Sequence, residues 1–149
     1  MRTRREIAYA LLRITMGLMF LTFGIEKFAA GIGNFAAGLQ QGFAGKLPSF
    51  LLTPFAYALP FAEVVIGLLL LLGLLNVFGL ILGGVLMIAL TFGMVLQGQA
   101  ATVANNVFYG VVIFLLLWFA DYNRFSLDRL LGIKMWTDTG PVREPLEGR

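Results

Sequence analysis

A single carboxylate, Glu63, lies in the middle of the apolar run YALPFAEVVIGLLLLLGLL, residues 57–75. A charge at the centre of a membrane-spanning helix costs roughly 2.5–3.5 kcal/mol on insertion scales. Along a helix with a rise of 1.5 Å per residue, Glu63 is about 14 Å from Pro54, near the start of the predicted helix, so water at that end is out of reach. We therefore predict that Glu63 pairs with a cation, carries a proton or binds a ligand.

Two cations on an earlier apolar run are the candidate partners of Glu63. Arg13, Gly17, Gly24 and Lys27 recur at helical spacing and share one face of a helix. Ionisable residues inside membrane spans are rare, usually face the bundle interior and usually pair. We predict a buried charge network in which Arg13 is the first-choice partner of Glu63 and Lys27 the second.

Other polar groups near Glu63 could contribute to a binding site. Tyr57, Pro60, Glu63 and Gly67 form a stripe on the second run, and Tyr57 is included as a ligand-binding candidate. Pro60 cannot donate a backbone hydrogen bond, so it exposes a carbonyl for a polar pocket or only bends the helix. Glu26 is a secondary candidate, because near the membrane surface it can also be solvated.

The composition indicates which elements position these residues. Of 149 residues, 59% are hydrophobic and 13% are charged, which excludes an ordinary soluble domain. We predict one all-α membrane domain over residues 1–149, because an open sheet cannot satisfy its backbone in lipid. The predicted bundle has four transmembrane helices, at about 7–28, 50–75, 78–96 and 106–120, each near the ~20 residues a bilayer requires.

Small residues predict close packing between the helices. Gly17 and Gly24 on the first helix and Gly67 on the second would let backbones approach. The third helix contains GLILG, with Gly79 and Gly83 in a small-xxx-small pattern. The second and third helices are separated only by Asn-Val at 76–77, where we predict a tight turn.

The first outer loop, AAGIGNFAAGLQQGFAGKLPSF, is too apolar for a solvated linker. Its large apolar residues fall at helical spacing and predict a short element on the membrane surface or folded back over the bundle. They are Ile32, Phe35, Leu39 and Phe43. The alternative is an irregular glycine-rich loop.

The segment after the fourth helix predicts an interfacial helix at about 126–136. Ser126 is a natural N-cap, Asp128 falls in the first turn, and the following leucines form an apolar face. Residues 137–149 are polar and contain proline, and we predict a flexible tail there.

The basic residues predict the orientation. Arginines at 2, 4 and 5 precede the first helix and basic residues at 124, 129, 134, 143 and 149 follow the fourth, whereas Lys27 and Lys46 lie on the opposite side. By the positive-inside rule, both termini face the cytoplasm. We predict a multi-pass protein of a bacterial or archaeal cell membrane.

The chain has no cysteine and no histidine. Disulfide chemistry, iron–sulfur clusters and the usual ligand sets for haem, zinc and copper are therefore excluded. We predict no metal and no covalently bound cofactor, with quinone or lipid as the candidate ligands.

Three segments together resemble the DoxX family of membrane proteins. RITMGLMFLTFGIEKF is similar to the family's first helix, PFAEVVIGLLLLLGL to its second, and NRFSLDRLLG to the end of its fourth. The resemblance covers residues 7–133, and Arg13, Lys27 and Glu63 match its polar positions. It implies a four-helix membrane bundle, with relatives that serve quinone-linked thiosulfate oxidation or act as partners of redox complexes. DYNRF replaces the family's usual glycine-containing turn.

Three functions remain open on these grounds. The first is a non-catalytic subunit of a larger redox or respiratory-type membrane complex, which accounts for the missing metal ligands and the small size. The second is a quinone-binding subunit of an oxidoreductase of the thiosulfate:quinone type, which accounts for the buried charges. The third is a small transport or lipophile-binding protein. The predicted partners are other membrane subunits and lipids, and nucleic acid is excluded.

Overall fold

The computed structural model describes residues 2–133, and the side chain of Arg2 is not described. This part of the chain is helical and contains no strand. Its elements are α1 (Arg2–Ala29), α2 (Ile32–Gly42), α3 (Ser49–Leu72), α4 (Asn76–Gln97), α5 (Ala100–Trp118), a 3-10 helix (Ala120–Tyr122) and α6 (Leu127–Leu130).

Four of these helices are long and apolar enough to cross a membrane. The candidate spans in α1, α3, α4 and α5 have 27, 24, 22 and 19 residues, with mean hydropathies between 1.6 and 2.4. At 1.5 Å per residue even the shortest reaches about 28 Å, close to the thickness of a hydrocarbon core. The predicted all-α bundle with four transmembrane helices is confirmed.

The helices pack as two pairs. α1 packs along α3, α4 packs along α5, and α3 also contacts α4, while α2 lies against α3. Because consecutive spans alternate in direction, the start of α1, the α3–α4 turn and the end of α5 share one end, which we call the N-terminal end. The opposite end, which holds α2 and the α4–α5 connection, is the α2 end.

Glycines bring α1 and α3 into backbone contact. A Cβ on Gly67 would lie 2.5 Å from the backbone nitrogen of Leu21. A Cβ on Gly17 would lie 2.7 Å from the backbone nitrogen of Leu71, and one on Gly24 would lie 3.0 Å from the carbonyl oxygen of Pro60. Since a backbone atom cannot rotate aside, this register between α1 and α3 depends on the three glycines.

The connections differ from the predicted boundaries. The turn between the second and third spans lies at Gly73–Leu75 and not at 76–77, because Gly73 ends α3 in the left-handed conformation with φ 63°. α5 begins at Ala100, so the second connection at the α2 end is only Gly98 and Gln99. The first outer loop forms the helix α2, which supports the helical interpretation over an irregular loop.

The end of the described chain corrects the predicted interfacial helix. Only Leu127–Leu130 is helical, followed by a turn at Leu131 and Gly132, and residues 134–149 lie outside the described part. Ser126 precedes α6 but makes no capping bond, because its hydroxyl donates to the carbonyl of Asn123 at 3.1 Å. This short segment folds back onto the N-terminal end of the bundle.

Candidate functional site

Glu63 forms a buried ion pair with Lys27. The ammonium nitrogen of Lys27 lies 2.9 Å from Oε1 and 2.8 Å from Oε2 of the carboxylate. Glu63 is 3% exposed and the Lys27 side chain 20% exposed. The pair joins α1 to α3 towards the α2 end, so Glu63 has a cationic partner from the first helix, as the sequence predicts.

Two aromatic rings and a carbonyl complete the surroundings of the ammonium group. Lys27 also donates to the carbonyl of Phe23 at 3.2 Å. The centroids of the Phe23 and Phe35 rings lie 5.7 and 5.4 Å from its Nζ, within the range of cation–π attraction. Because Phe35 belongs to α2, the ion pair is covered by the helix that the sequence placed in the first outer loop.

The prediction that Arg13 is the first-choice partner of Glu63 is wrong, because Lys27 forms that ion pair. A helical Cα–Cβ bond tilts towards the N-terminus of its helix. Across the antiparallel α1–α3 contact, Glu63 lies at a level between Arg13 and Lys27. The side chain of Lys27 therefore runs back towards Glu63, whereas the side chain of Arg13 runs away from it.

Arg13 instead reaches the N-terminal end, where it is 2% exposed. Its Nη2 donates to the carbonyl of Phe125 at 2.7 Å. The guanidinium fills the space beside Gly73 that a side chain there would occupy. Within residues 2–133 its Nε and Nη1 find no acceptor. Arg13 thus attaches the segment after α5 to the body of the bundle.

Asp128 attaches the same segment to the start of α4. Its Oδ1 accepts from the backbone N–H of Leu75 at 2.6 Å and its Oδ2 from that of Asn76 at 2.9 Å. The Asp128 N–H in turn donates to the carbonyl of Gly73 at 3.2 Å. Those two N–H groups begin α4 and have no helical partner, so the carboxylate caps the helix and complements its dipole.

We call the contacts of Arg13 with Phe125, and of Asp128 with the turn at Gly73–Asn76, the terminal clasp. The role of Asp128 in it was missed, because the sequence placed this residue in the first turn of its own helix. Leu75, with φ 45°, is in the left-handed region without being glycine. The carboxylate that accepts its N–H helps hold that strained turn.

A neutral hydrogen bond lies beside the clasp and was also missed. Nδ2 of Asn76 donates to the hydroxyl of Tyr9 at 2.7 Å. The two residues are 2% and 5% exposed. The only signal for it in the sequence is that a polar side chain at the start of a membrane span requires a partner.

The remaining predicted residues lie elsewhere. Tyr57 is 48% exposed and lies outside the buried charge contacts of residues 2–133, and its role as a ligand-binding residue stays a prediction. Glu26 is exposed. Gly79 packs against the side chains of Leu69 and Leu70 of α3, and Gly83 packs against Phe20 of α1. The predicted single network is therefore two separate ones, at opposite ends of the bundle.

A family described as methylamine utilisation protein MauE matches residues 5–105, which is most of the chain. The chain belongs to this family. The matched region of this MauE family member runs from the first turn of α1 to the start of α5, and so includes Arg13 and the Lys27–Glu63 pair but not Asp128. No curated protein and no solved structure matches the chain. The match is to MauE, and the resemblance to DoxX proteins stays a prediction.

Proposed function

We propose that this MauE family member is a non-catalytic membrane subunit that assembles with other membrane proteins of a redox-type complex. The family description supports an association with methylamine utilisation, which we extend to this chain as an accessory role in oxidising a small amine or a related substrate. The DoxX resemblance supports the same class of role.

The observation that carries this proposal is the use of the buried charges. Glu63 binds Lys27, and Arg13 binds the carbonyl of Phe125. In both cases a charged group of α1 fastens another part of the same chain. Such charges serve the assembly of the bundle, and a partner protein would supply the electron-transferring centre, since this chain has no cysteine or histidine for one.

A tagged chain, expressed in its source organism and purified in mild detergent, tests the assembly. We expect stoichiometric co-purification of other membrane proteins with a redox centre. The purified chain alone should not reduce quinone with any substrate of the complex. Purification of the chain by itself with steady quinone reduction would contradict the proposal and would favour the quinone-binding alternative.

A paired substitution separates a structural role of the ion pair from a chemical one. Lys27→Met with Glu63→Gln removes both charges and leaves no unmatched ion. We expect the complex that contains this double variant to keep its amount and its activity. Loss of activity at normal amounts of complex would show that the ionisable groups take part in chemistry.

The proposed orientation, in the cell membrane with both termini in the cytoplasm, is supported by the basic residues. Arg4, Arg5, Arg124 and Arg129 lie at the N-terminal end, whereas Lys46 lies at the α2 end. Cysteine at position 46 should react with an impermeant reagent added to cells with a permeable outer layer, and cysteine at position 3 should not. The reverse labelling would invert the orientation.

A further inference from the structure

An apolar groove runs between α1 and α5 at the N-terminal end of the bundle. It has a volume of about 510 Å³, within the ~300–1,000 Å³ typical of small-molecule sites. Ala8 and Leu12 of α1 form one wall of the groove. The other wall consists of Leu115 and Leu116 of α5 and of Phe119, which directly follows α5. α1 and α5 have few contacts with each other, because α1 packs chiefly on α3 and α5 packs chiefly on α4. The groove therefore stays open towards the surrounding lipid.

The mouth of the groove has a positive charge. Nη1 of Arg5 donates to the hydroxyl of Tyr122 at 3.0 Å, and the guanidinium lies 5.9 Å from the centroid of that ring. The neighbouring Arg124 is paired with Glu6 at 3.0 Å. Within residues 2–133 the salt bridges are this one and Lys27–Glu63, so no described carboxylate neutralises Arg5. The Tyr122 ring and hydroxyl fix the direction of the guanidinium, and within the described part of the chain no other hydrogen-bond acceptor binds the Arg5 side chain.

From this geometry we infer that the groove holds one acyl chain of an anionic phospholipid, whose phosphate binds Arg5. A guanidinium offers paired donors that match a phosphate. From Arg5 to Leu12 the wall descends about 10 Å along α1, deep enough for the upper part of a lipid tail. The inference does not depend on the proposed subunit role, since it concerns how this chain binds the bilayer.

The charge favours a phospholipid over an isoprenoid quinone. Tyr9 lines the groove, but its hydroxyl accepts a hydrogen bond from Asn76 inside the bundle. The deep part of the groove thus presents mainly ring and aliphatic surface, and its strongest polar group is the Arg5 cation at the mouth. A quinone carbonyl can accept a hydrogen bond from Arg5 but leaves its charge unneutralised, whereas a phosphate accepts two hydrogen bonds and neutralises the charge.

The test uses the full chain in nanodiscs of equal parts phosphatidylglycerol and phosphatidylcholine. After release into mild detergent, native mass spectrometry counts the lipids that stay bound to each chain. We expect one retained lipid, with phosphatidylglycerol preferred. Arg5→Gln should lower that preference about fivefold, the effect of one basic residue at an anionic surface. The matched control Arg4→Gln, at the same end but outside the groove, should leave it unchanged.

A second pair of variants tests the apolar walls. Ala8→Phe fills the groove and should remove the retained lipid, whereas Leu18→Phe, on an exposed part of α1 outside the groove, should not. Tyr122→Phe keeps the charge of Arg5 and should keep the preference for phosphatidylglycerol. Thermal unfolding in detergent identifies any variant whose fold is disturbed. If Ala8→Phe is disturbed, the smaller substitution Ala8→Ile is tested in its place.

Four outcomes would overturn the inference. Equal losses in Arg4→Gln and Arg5→Gln would mean a general surface charge effect. Retained lipid in folded Ala8 variants would place the lipid elsewhere. Loss of the preference for phosphatidylglycerol in Tyr122→Phe would mean that this preference depends on the Arg5–Tyr122 contact and not on a phosphate bound to Arg5. Retention of quinone in place of phospholipid, after extraction from native membranes, would identify the other occupant.

Discussion

The two ends of the bundle use buried charge differently. Towards the α2 end, Lys27 and Glu63 neutralise each other across α1 and α3, side chain against side chain. At the N-terminal end, Arg13 and Asp128 bind backbone groups, a carbonyl at Phe125 and the N–H groups that start α4. One end therefore holds two helices together, and the other holds a chain segment against a turn.

This difference determines which substitutions each end can tolerate. Two side chains can be exchanged together for a neutral pair, and replacing a buried ion pair with apolar residues is often neutral or stabilising. A backbone carbonyl or N–H cannot be exchanged. The ion pair should therefore be replaceable as a unit, whereas each member of the terminal clasp should be required individually.

The largest effect is expected for Lys27→Met, which leaves the carboxylate of Glu63 uncompensated at 3% exposure. Such a loss typically costs about 3–5 kcal/mol. Glu63→Gln should cost less, since the Lys27 side chain is 20% exposed and can extend towards water. Equilibrium unfolding in mixed micelles measures both free energies.

The double variant completes this cycle. Its loss of unfolding free energy should be well below the sum of the two single losses. Lys46→Met, an exposed lysine at the same end, controls for a change of net charge and should have little effect. Additive losses would mean that the two residues do not depend on each other.

Gly73→Ala is expected to have the next largest effect, about 3 kcal/mol. A Cβ at this position would lie 2.6 Å from the Cβ of Ser126 and 2.7 Å from Cζ of Arg13. Overpacking of this kind costs about 1–3 kcal/mol, and φ 63° adds roughly 1–2 kcal/mol for a residue with a side chain.

Gly98→Ala is the matched control at the other end. Gly98 also has a positive φ, 71°, but a Cβ there would meet open space. It should lose only the conformational part, roughly 1–2 kcal/mol. If Gly73→Ala and Gly98→Ala lower the free energy of unfolding equally, then the position of the Arg13 guanidinium does not require the absence of a side chain at Gly73.

Much of the fold could be predicted, because hydropathy and length determine membrane spans directly. The boundary between α3 and α4 was not predicted. The end of α3 depends on the left-handed conformation of Gly73, and the start of α4 depends on capping by Asp128, 55 positions further along the chain. A glycine after an apolar helix is a local signal for a helix end, but the Asp128 contact has no local sequence pattern.

The candidate site was predicted only in part, for a comparable reason. Burial alone indicates that Glu63 requires a cation. Whether Arg13 or Lys27 is the cation that pairs with Glu63 depends on the register of α1 against α3 and on the direction of each side chain. That register follows from the contacts of Gly17, Gly24 and Gly67. Helical spacing identifies a shared face but gives no register.

Asp128→Ala should cost about 1–2 kcal/mol, the usual range for loss of an N-terminal cap. The N–H groups of Leu75 and Asn76 would lose their acceptor. Asp128→Asn keeps one oxygen and should lose about half as much. Asp121→Ala, an exposed acidic residue at the same end, is the control and should change stability by less than about 0.5 kcal/mol. Equal losses for Asp121→Ala and Asp128→Ala would contradict the capping role.

The smallest effect is expected for removal of a tyrosine hydroxyl, which should lower stability at Tyr9 but not at Tyr57. Tyr9→Phe removes the acceptor that Nδ2 of Asn76 binds at 2.7 Å, and we expect a loss of about 1 kcal/mol, the low end for a buried donor left unsatisfied. Tyr57→Phe is the same chemical change on a residue that is 48% exposed, and it should leave stability unchanged. Unfolding of both variants in the same micelles makes the comparison direct, because the removed atom is identical and only its surroundings differ. A loss for Tyr57→Phe as large as for Tyr9→Phe would show that the Tyr57 hydroxyl has a partner in the micelle or lipid. That result would support the ligand-binding role predicted for Tyr57 and would weaken the assignment of the stabilising polar contacts to the interior of the two ends.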